Sequence, residues 1–174
     1  FLKRINFLRG IHLILGIACL LLGSAKSGFA LPQDGNIVAG SGSIQETAPG
    51  TMEIQQNSNR MVADWRSFDI GATESVIFQQ PSTDAIALNR VIGNDPSKIF
   101  GKLSANGNIF LINPNGILFG SSAQIDVNGL VATTADINNQ DFMDGRYDFK
   151  FPSSSSSTVI NQGQITVAEG GLLA

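Results

Sequence analysis

The side chains best suited to nucleophilic, acid–base or soft-metal chemistry stand where a finished protein could not use them. The only cysteine, Cys19, and the only histidine, His12, fall within the first thirty residues. FLKRINFLRG carries Lys3, Arg4 and Arg9 and no acid; IHLILGIACLLLG is an apolar run; SAKSGFA ends with Gly28 and Ala30 at −3 and −1. That basic, apolar, small-residue order is the pattern of a cleavable secretory signal over residues 1–30, with the cut expected after Ala30. A membrane anchor is the competing use of such a stretch, but the run is shorter than the roughly 20 residues a span requires. Lipid modification of Cys19 fits less well, since the apolar run continues past it and Gly16 stands where such a site favours Leu.

Loss of the leader removes Lys3, Arg4, Arg9 and Lys26, so 7 of the 11 basic residues remain against 14 acids, a net charge of 7 − 14 = −7. A processed chain without Cys or His cannot build a Ser-His-Asp or Cys-His nucleophile or a Cys/His zinc centre. Its acidity argues against nucleic acid, where binding depends on neutralising phosphates. The remaining candidates are carboxylates and the seven basic residues Arg60, Arg66, Arg90, Lys98, Lys102, Arg146 and Lys150. None recurs at a regular period with a carboxylate partner, and Asp64 and Asp69 read as parts of a solvated strand end. No catalytic residue, cofactor or metal ligand is therefore expected. An exported chain without a disulfide is unusual; passage unfolded through a narrow pore would be one physical reason.

The elements that would position any site are short strands. Charge is sparse, Gly and Asn are frequent, and no long segment keeps a 3.6-residue period. Bursts such as SVIFQQ and AIALNRVIG read as strands. Several open on a Gly/Ala-x-Ile step: Ile37, Ile44, Ile109, Ile125 and Ile165. AQIDVNGLVA and GQITVAEGGLLA also continue alike, with Ile and Val placed to point inward and Asp126 or Thr166 outward. The spacings 125 − 109 = 16 and 165 − 125 = 40 suggest stacking of Ile109, Ile125 and Ile165 in a solenoid, the longer interval holding two coils of about 20 residues. A β-sandwich with short strands remains the alternative on this pattern alone.

Residues 138–157 interrupt the pattern. Tyr147, Phe149 and Phe151 alternate with charges, Asp144-Gly145 offers a turn, and a five-serine run follows. A hairpin-like excursion with a flexible connector is expected, used to cover an apolar side of the solenoid rather than as a carbohydrate platform.

Near the middle, NIFLINPNGILFG joins two apolar runs through Asn113, Pro114, Asn115 and Gly116. Asn at the first position can bond forward, Pro presets φ, Asn tolerates the third position and Gly suits the fourth, so the flanking runs meet at a fixed corner. With Asn113, Pro114, Asn115, Gly116 and Ile117 as its centre, the stretch LNRVIGNDPSKIFGKLSANGNIFLINPNGILFG and its continuation SSAQIDVNGLVATTADI resemble the N-terminal secretion domain of two-partner-secretion exoproteins, the filamentous haemagglutinin type. DWRSFDIG and VIFQQPS upstream also fit, so the resemblance covers residues 35–137. A second short family motif, Asn-Pro-Asn-Leu, is absent, and Asn128-Gly129 and Thr133-Thr134 replace the usual Gly-Gly and Ser-Thr.

The resemblance implies an all-β, right-handed parallel β-helix with an N-terminal cap over residues 31–174, plus the short extra-helical hairpin. It also implies export through the inner membrane by Sec-type machinery and recognition by an outer-membrane β-barrel transporter with periplasmic domains. The chain would cross unfolded and fold outside the cell, secreted or at the surface. The 113–117 corner would be a structural turn, with transporter recognition as its alternative role. A β-helical polysaccharide-active enzyme and a free-standing carbohydrate-binding adhesin are the competing functions. The chain ends in GGLLA, within an apparent coil and without a polar end cap, so continuation downstream is expected, carrying any contacts with host or cell-surface ligands.

Overall fold

The computed structural model describes residues 30–150 and 157–174. The expected leader up to residue 29, with His12 and Cys19, lies outside the described residues, as do Phe151 and all of the serine run except Ser157.

The described chain opens with a cap. β1 (Asn36–Ala39) and β2 (Gly42–Ala48) turn into one another through Gly40, at φ +79°, where a Cβ would come within 2.3 Å of the Arg60 carbonyl. β3 (Thr51–Gln56) and β4 (Arg60–Trp65) follow, with β2 antiparallel to β3 and β1 antiparallel to β4. The cap thus occupies the first edge of two sheets at once. Beyond it every strand pairing among the described residues is parallel.

β5 (Ser75–Gln79) stacks on β3, and β6 (Ile86–Val91) on β4, while β7 (Ser97–Ile99) begins a third face. β8 (Lys102–Ala105), β9 (Asn108–Ile112) and β10 (Ile117–Phe119) repeat the three faces one level on. β11 (Gln124–Val127) and β12 (Gly129–Thr133) begin the next level. After the excursion, which contains α1 (Asn139–Met143), β13 (Val159–Asn161) completes that level and β14 (Gln164–Val167) starts another. The result is a parallel β-solenoid with a six-stranded sheet (β14-β11-β8-β5-β3-β2), a five-stranded sheet (β1-β4-β6-β9-β12) and a three-stranded sheet (β13-β10-β7). A sandwich would require antiparallel strand pairs, and among the described residues none of the named strands beyond the cap forms one.

Alternation decides which side of each strand faces in. Within β11, Gln124 and Asp126 are exposed while Ile125 and Val127 are buried. Parallel register then converts alternation into columns: Met52, Val76, Leu103, Ile125 and Ile165 lie in one, and Met61, Ala87, Ile109 and Leu130 in another. Burying such columns is the main stabilising term, at about 25 cal/mol per Å² of apolar surface. Trp65, fully buried, donates its indole N–H to Asn89 Oδ1 at 3.0 Å, so the one polar side chain in its column satisfies the one indole.

Two expectations need correcting. Ile125 and Ile165 do stack, but Ile109 belongs to the five-stranded sheet, between Ala87 and Leu130. The Gly/Ala-x-Ile step opens strands on different faces, so equal spelling did not mean equal position. The 40-residue interval is likewise one coil, since β11 pairs directly with β14; the additional length is the excursion.

That excursion is closed as a hairpin would be, by an antiparallel bridge in which Asp136 and Lys150 exchange both backbone hydrogen bonds. Inside it, however, α1 stands where paired strands were expected. Asn138 caps it, its side chain accepting from Gln140 N and Asp141 N, and Gly145, at φ +78°, turns the chain back. A local cap prevailed over aromatic alternation. The covering role does hold: the outer face of the five-stranded sheet carries Val62, Leu88, Phe110, Ile112 and Val131, and Phe142, Tyr147 and Phe149 close over it. Phe110 lies centrally, 5.4 Å from the Tyr147 ring and 5.8 Å from that of Phe142. No helix among the described residues is long and apolar enough to cross a membrane.

Because Phe142 is fully buried in this outer layer, Phe142→Ala is expected to lower unfolding free energy by about 3–5 kcal/mol. Urea denaturation checks this; an unchanged midpoint would mean the excursion does not cover the sheet in solution.

Candidate functional site

The corner between β9 and β10 is tied both within itself and to its neighbours. Gly116 N–H donates to Asn113 C=O at 3.0 Å, closing the four-residue turn, and Asn113 Oδ1 accepts from Asn115 N–H at 2.9 Å. Gly116 has φ +109°, which an L side chain adopts only with strain. These are the local bonds that the residue types led one to expect.

What the sequence did not show is that the corner grips its neighbours. Asn113 is fully buried and its Nδ2 donates to Asp95 C=O and Ser97 Oγ, both at 3.0 Å, in the coil before. Asn115 Nδ2 donates to Gly93 C=O at 2.9 Å, and Gly116 C=O accepts from Ser97 N–H. In the coil after, Asn113 N–H donates to Thr133 C=O at 3.0 Å, and Ile117 N–H to Thr158 C=O at 3.1 Å. Ile117 itself is buried, in register between Ser97 and Val159. Three consecutive coils thus meet at one turn. Its two asparagine side chains, Asn113 and Asn115, are both engaged in bonds within the stack.

A second anchor lies on the outer face of the five-stranded sheet. Arg90 Nε donates to Asp136 Oδ1 at 2.7 Å, Nη1 to Asn139 Oδ1 at 2.7 Å and to Asp64 Oδ1 at 3.2 Å, and Nη2 to Ile137 C=O at 2.5 Å. One guanidinium, 13 % exposed, therefore pins the root of the excursion to two coils. Arg60, near Gly145, reaches Tyr147 Oη at the far end. Arg90 was legible only as one of seven basic residues; nothing local disclosed its partners, 26 to 49 residues away.

The carboxylates do not converge. Asp64 serves Arg90, whereas Asp69 lies by the three-stranded sheet and accepts Lys98 N–H at 2.7 Å. Burial pushes the Asp69 carboxyl above its ordinary value, against the lowering effect of that hydrogen bond and of the Lys98 charge. Among the described residues no group of three or more His, Cys, Asp or Glu side chains is placed to hold a metal. Beside the corner runs a shallow groove of about 290 Å³, lined in part by Pro96, Lys98, Asn115, Leu118 and Ile160.

Comparison with known proteins places this geometry. Residues 30–174 match the family described as the TPS secretion domain. Among curated proteins, a heme/hemopexin-binding protein of Haemophilus influenzae is 44 % identical over 118 residues, which is 68 % of this chain and 13 % of that protein. The counterpart from another strain of the same species is 44 % identical over 107 residues, 62 % of this chain and 12 % of its own length. This chain thus spans about an eighth of those relatives. Among solved structures, the HMW1 secretion domain from Haemophilus influenzae superposes with a TM-score of 0.74 at 33 % identity, covering 78 % of this chain and 36 % of that one.

Asn113→Ala would leave the Asp95 carbonyl, Ser97 Oγ and Asn115 N–H without their partner, an expected cost of about 2–3 kcal/mol. Pro114→Ala, which alters mainly the unfolded chain, is expected to cost less than about 1 kcal/mol. Thermal melts of the two variants rank them; a larger loss for Pro114→Ala would contradict the corner's account.

Proposed function

The chain belongs to the TPS secretion domain family, and from that premise we propose that it is the export-addressing part of a large surface exoprotein, read by a cognate outer-membrane β-barrel transporter. The observation carrying this reading is the family match over residues 30–174 falling on a capped parallel solenoid. The matched relatives are secretion domains and binding proteins rather than enzymes.

The proposed route begins with a leader over residues 1–30 and Sec-type passage into the periplasm. The transporter's periplasmic domains bind the chain there, and it crosses the outer membrane unfolded. Residues 31–174 contain no Cys, so no disulfide loop within them can obstruct threading. Coils that contact mainly their neighbours can fold one at a time as they emerge. Each added coil buries another inner residue of every column, biasing the chain outward without nucleotide hydrolysis. β2 lies at the open end of its sheet and offers an edge suited to strand addition by the transporter.

Heme or hemopexin binding is named for relatives of which the matched segment is 13 % or less. For this chain the proposal assigns export; contacts with host or cell-surface ligands would belong to further sequence of a full-length protein.

Deleting residues 88–120 removes all but the first two residues of β6, all of β7 through β10, and the 113–117 corner. Precursor should then collect in the periplasm with none in the medium or at the surface, as followed by immunoblotting of fractions. Normal secretion of the deletion would overturn the proposal.

A further inference from the structure

Glu74 is a buried carboxylate with no cationic partner among the described residues. It closes the turn over residues 71–74, its surface only 3 % exposed. Both of its oxygens accept main-chain N–H groups: Oε2 from Gly71 at 2.7 Å and Oε1 from Ala30 at 2.8 Å. The ion pairs among the described residues use Asp34, Asp64, Asp136, Asp141 and Asp144, and none uses Glu74. Fully buried carboxylates are rare unless paired, because taking the charge out of water is costly.

The donor at Oε1 belongs to the residue that ends the expected leader. Immediately after it, Leu31 is packed into the inner core with 6 % of its surface exposed, and Pro32 is buried. The chain is thereby held against Glu74 at the very place where processing would create a new terminus. Hydrolysis of the Ala30–Leu31 bond consumes one water, leaves the carboxylate on Ala30 and the amine on Leu31, and that amine takes up a proton near neutral pH. The ammonium on Leu31 then sits one residue from the present donor.

We infer that Glu74 is the seat of the α-ammonium group released when the leader is removed, so the solenoid's cap gains its ion pair only in the processed chain. The inference rests on the leader reading. Its consequence is that cap closure follows processing: the unprocessed chain offers Glu74 amides alone, whereas the processed chain offers a charge-assisted donor, the stronger kind.

The test is a cycle of thermal melts on the unprocessed 174-residue chain and the processed chain, each with Glu74 and with Glu74→Gln. In the processed chain Glu74→Gln should lower Tm by on the order of 5 °C. In the unprocessed chain it should lower Tm by clearly less, since there the amide leaves only a neutral main-chain N–H without its acceptor. Processed chain acetylated at its amino terminus serves as a neutral reference where the unprocessed form is insoluble, and should behave like it. Equal shifts in charged and neutral forms would overturn the inference and reduce Glu74 to a brace for the 71–74 turn. Intact mass gives the cut position: a chain starting well beyond Leu31 would overturn the leader reading and the inference together, while a start at Leu31 with equal shifts overturns the inference alone.

Discussion

Every strand beyond the cap depends on parallel pairing with a strand one coil away, so its backbone N–H and C=O groups cannot be satisfied locally. A helix closes its bonds within four residues; here Asn108 pairs with Gly129, and Ser75 with Lys102. The coils therefore have to superpose at their corners, or the columns of Ile, Leu and Val fall out of register and face the wrong side. The turn of Asn113, Asn115 and Gly116 meets that requirement by bonding to the coil before and the coil after. The antiparallel cap meets it at the first edge of the described stack, where β2 and β1 pair with β3 and β4.

The same constraint explains the excursion. A sheet in such a stack has an inner and an outer face, and in the five-stranded sheet both are apolar. The outer face of the six-stranded sheet carries Gln124, Asp126 and Thr166 and needs no cover. Val62, Leu88, Phe110 and Val131 do, and residues 136–150 provide it, rooted by Arg90. Contacts from Tyr147 back to Arg60 bring the fourth level of the stack against the first, so stability is not carried by nearest neighbours alone.

Legibility in the sequence followed the range of each interaction. The turn at 113–116 could be read because its deciding bonds join residues two or three apart. The alternation in β11 and β14 could be read for the same reason, and their likeness correctly paired Ile125 with Ile165. Ile109 was misassigned because Gly-x-Ile marks a strand start and not a face. The helix at Asn139–Met143 was hidden behind the aromatic alternation that follows it, though Asn138 as a cap was a usable local sign. Arg90 and Glu74 were illegible as anchors: each has a partner more than 40 residues distant, which no local pattern encodes.

Taken together, a stack that assembles coil by coil outside the cell requires a chain that enters its conduit without covalent loops. Gln124 and Gln164 are exposed register partners in β11 and β14, and neighbouring strands lie about 5 Å apart, within reach of a disulfide. Replacing both with Cys allows the 40-residue interval between them to be closed in the periplasm before export. The most direct measurement is the secreted fraction of that variant with its bridge formed and with it reduced. The account predicts arrest in the periplasm when the bridge is closed and release when a reductant opens it; full secretion with the bridge intact would contradict threading of an unfolded chain.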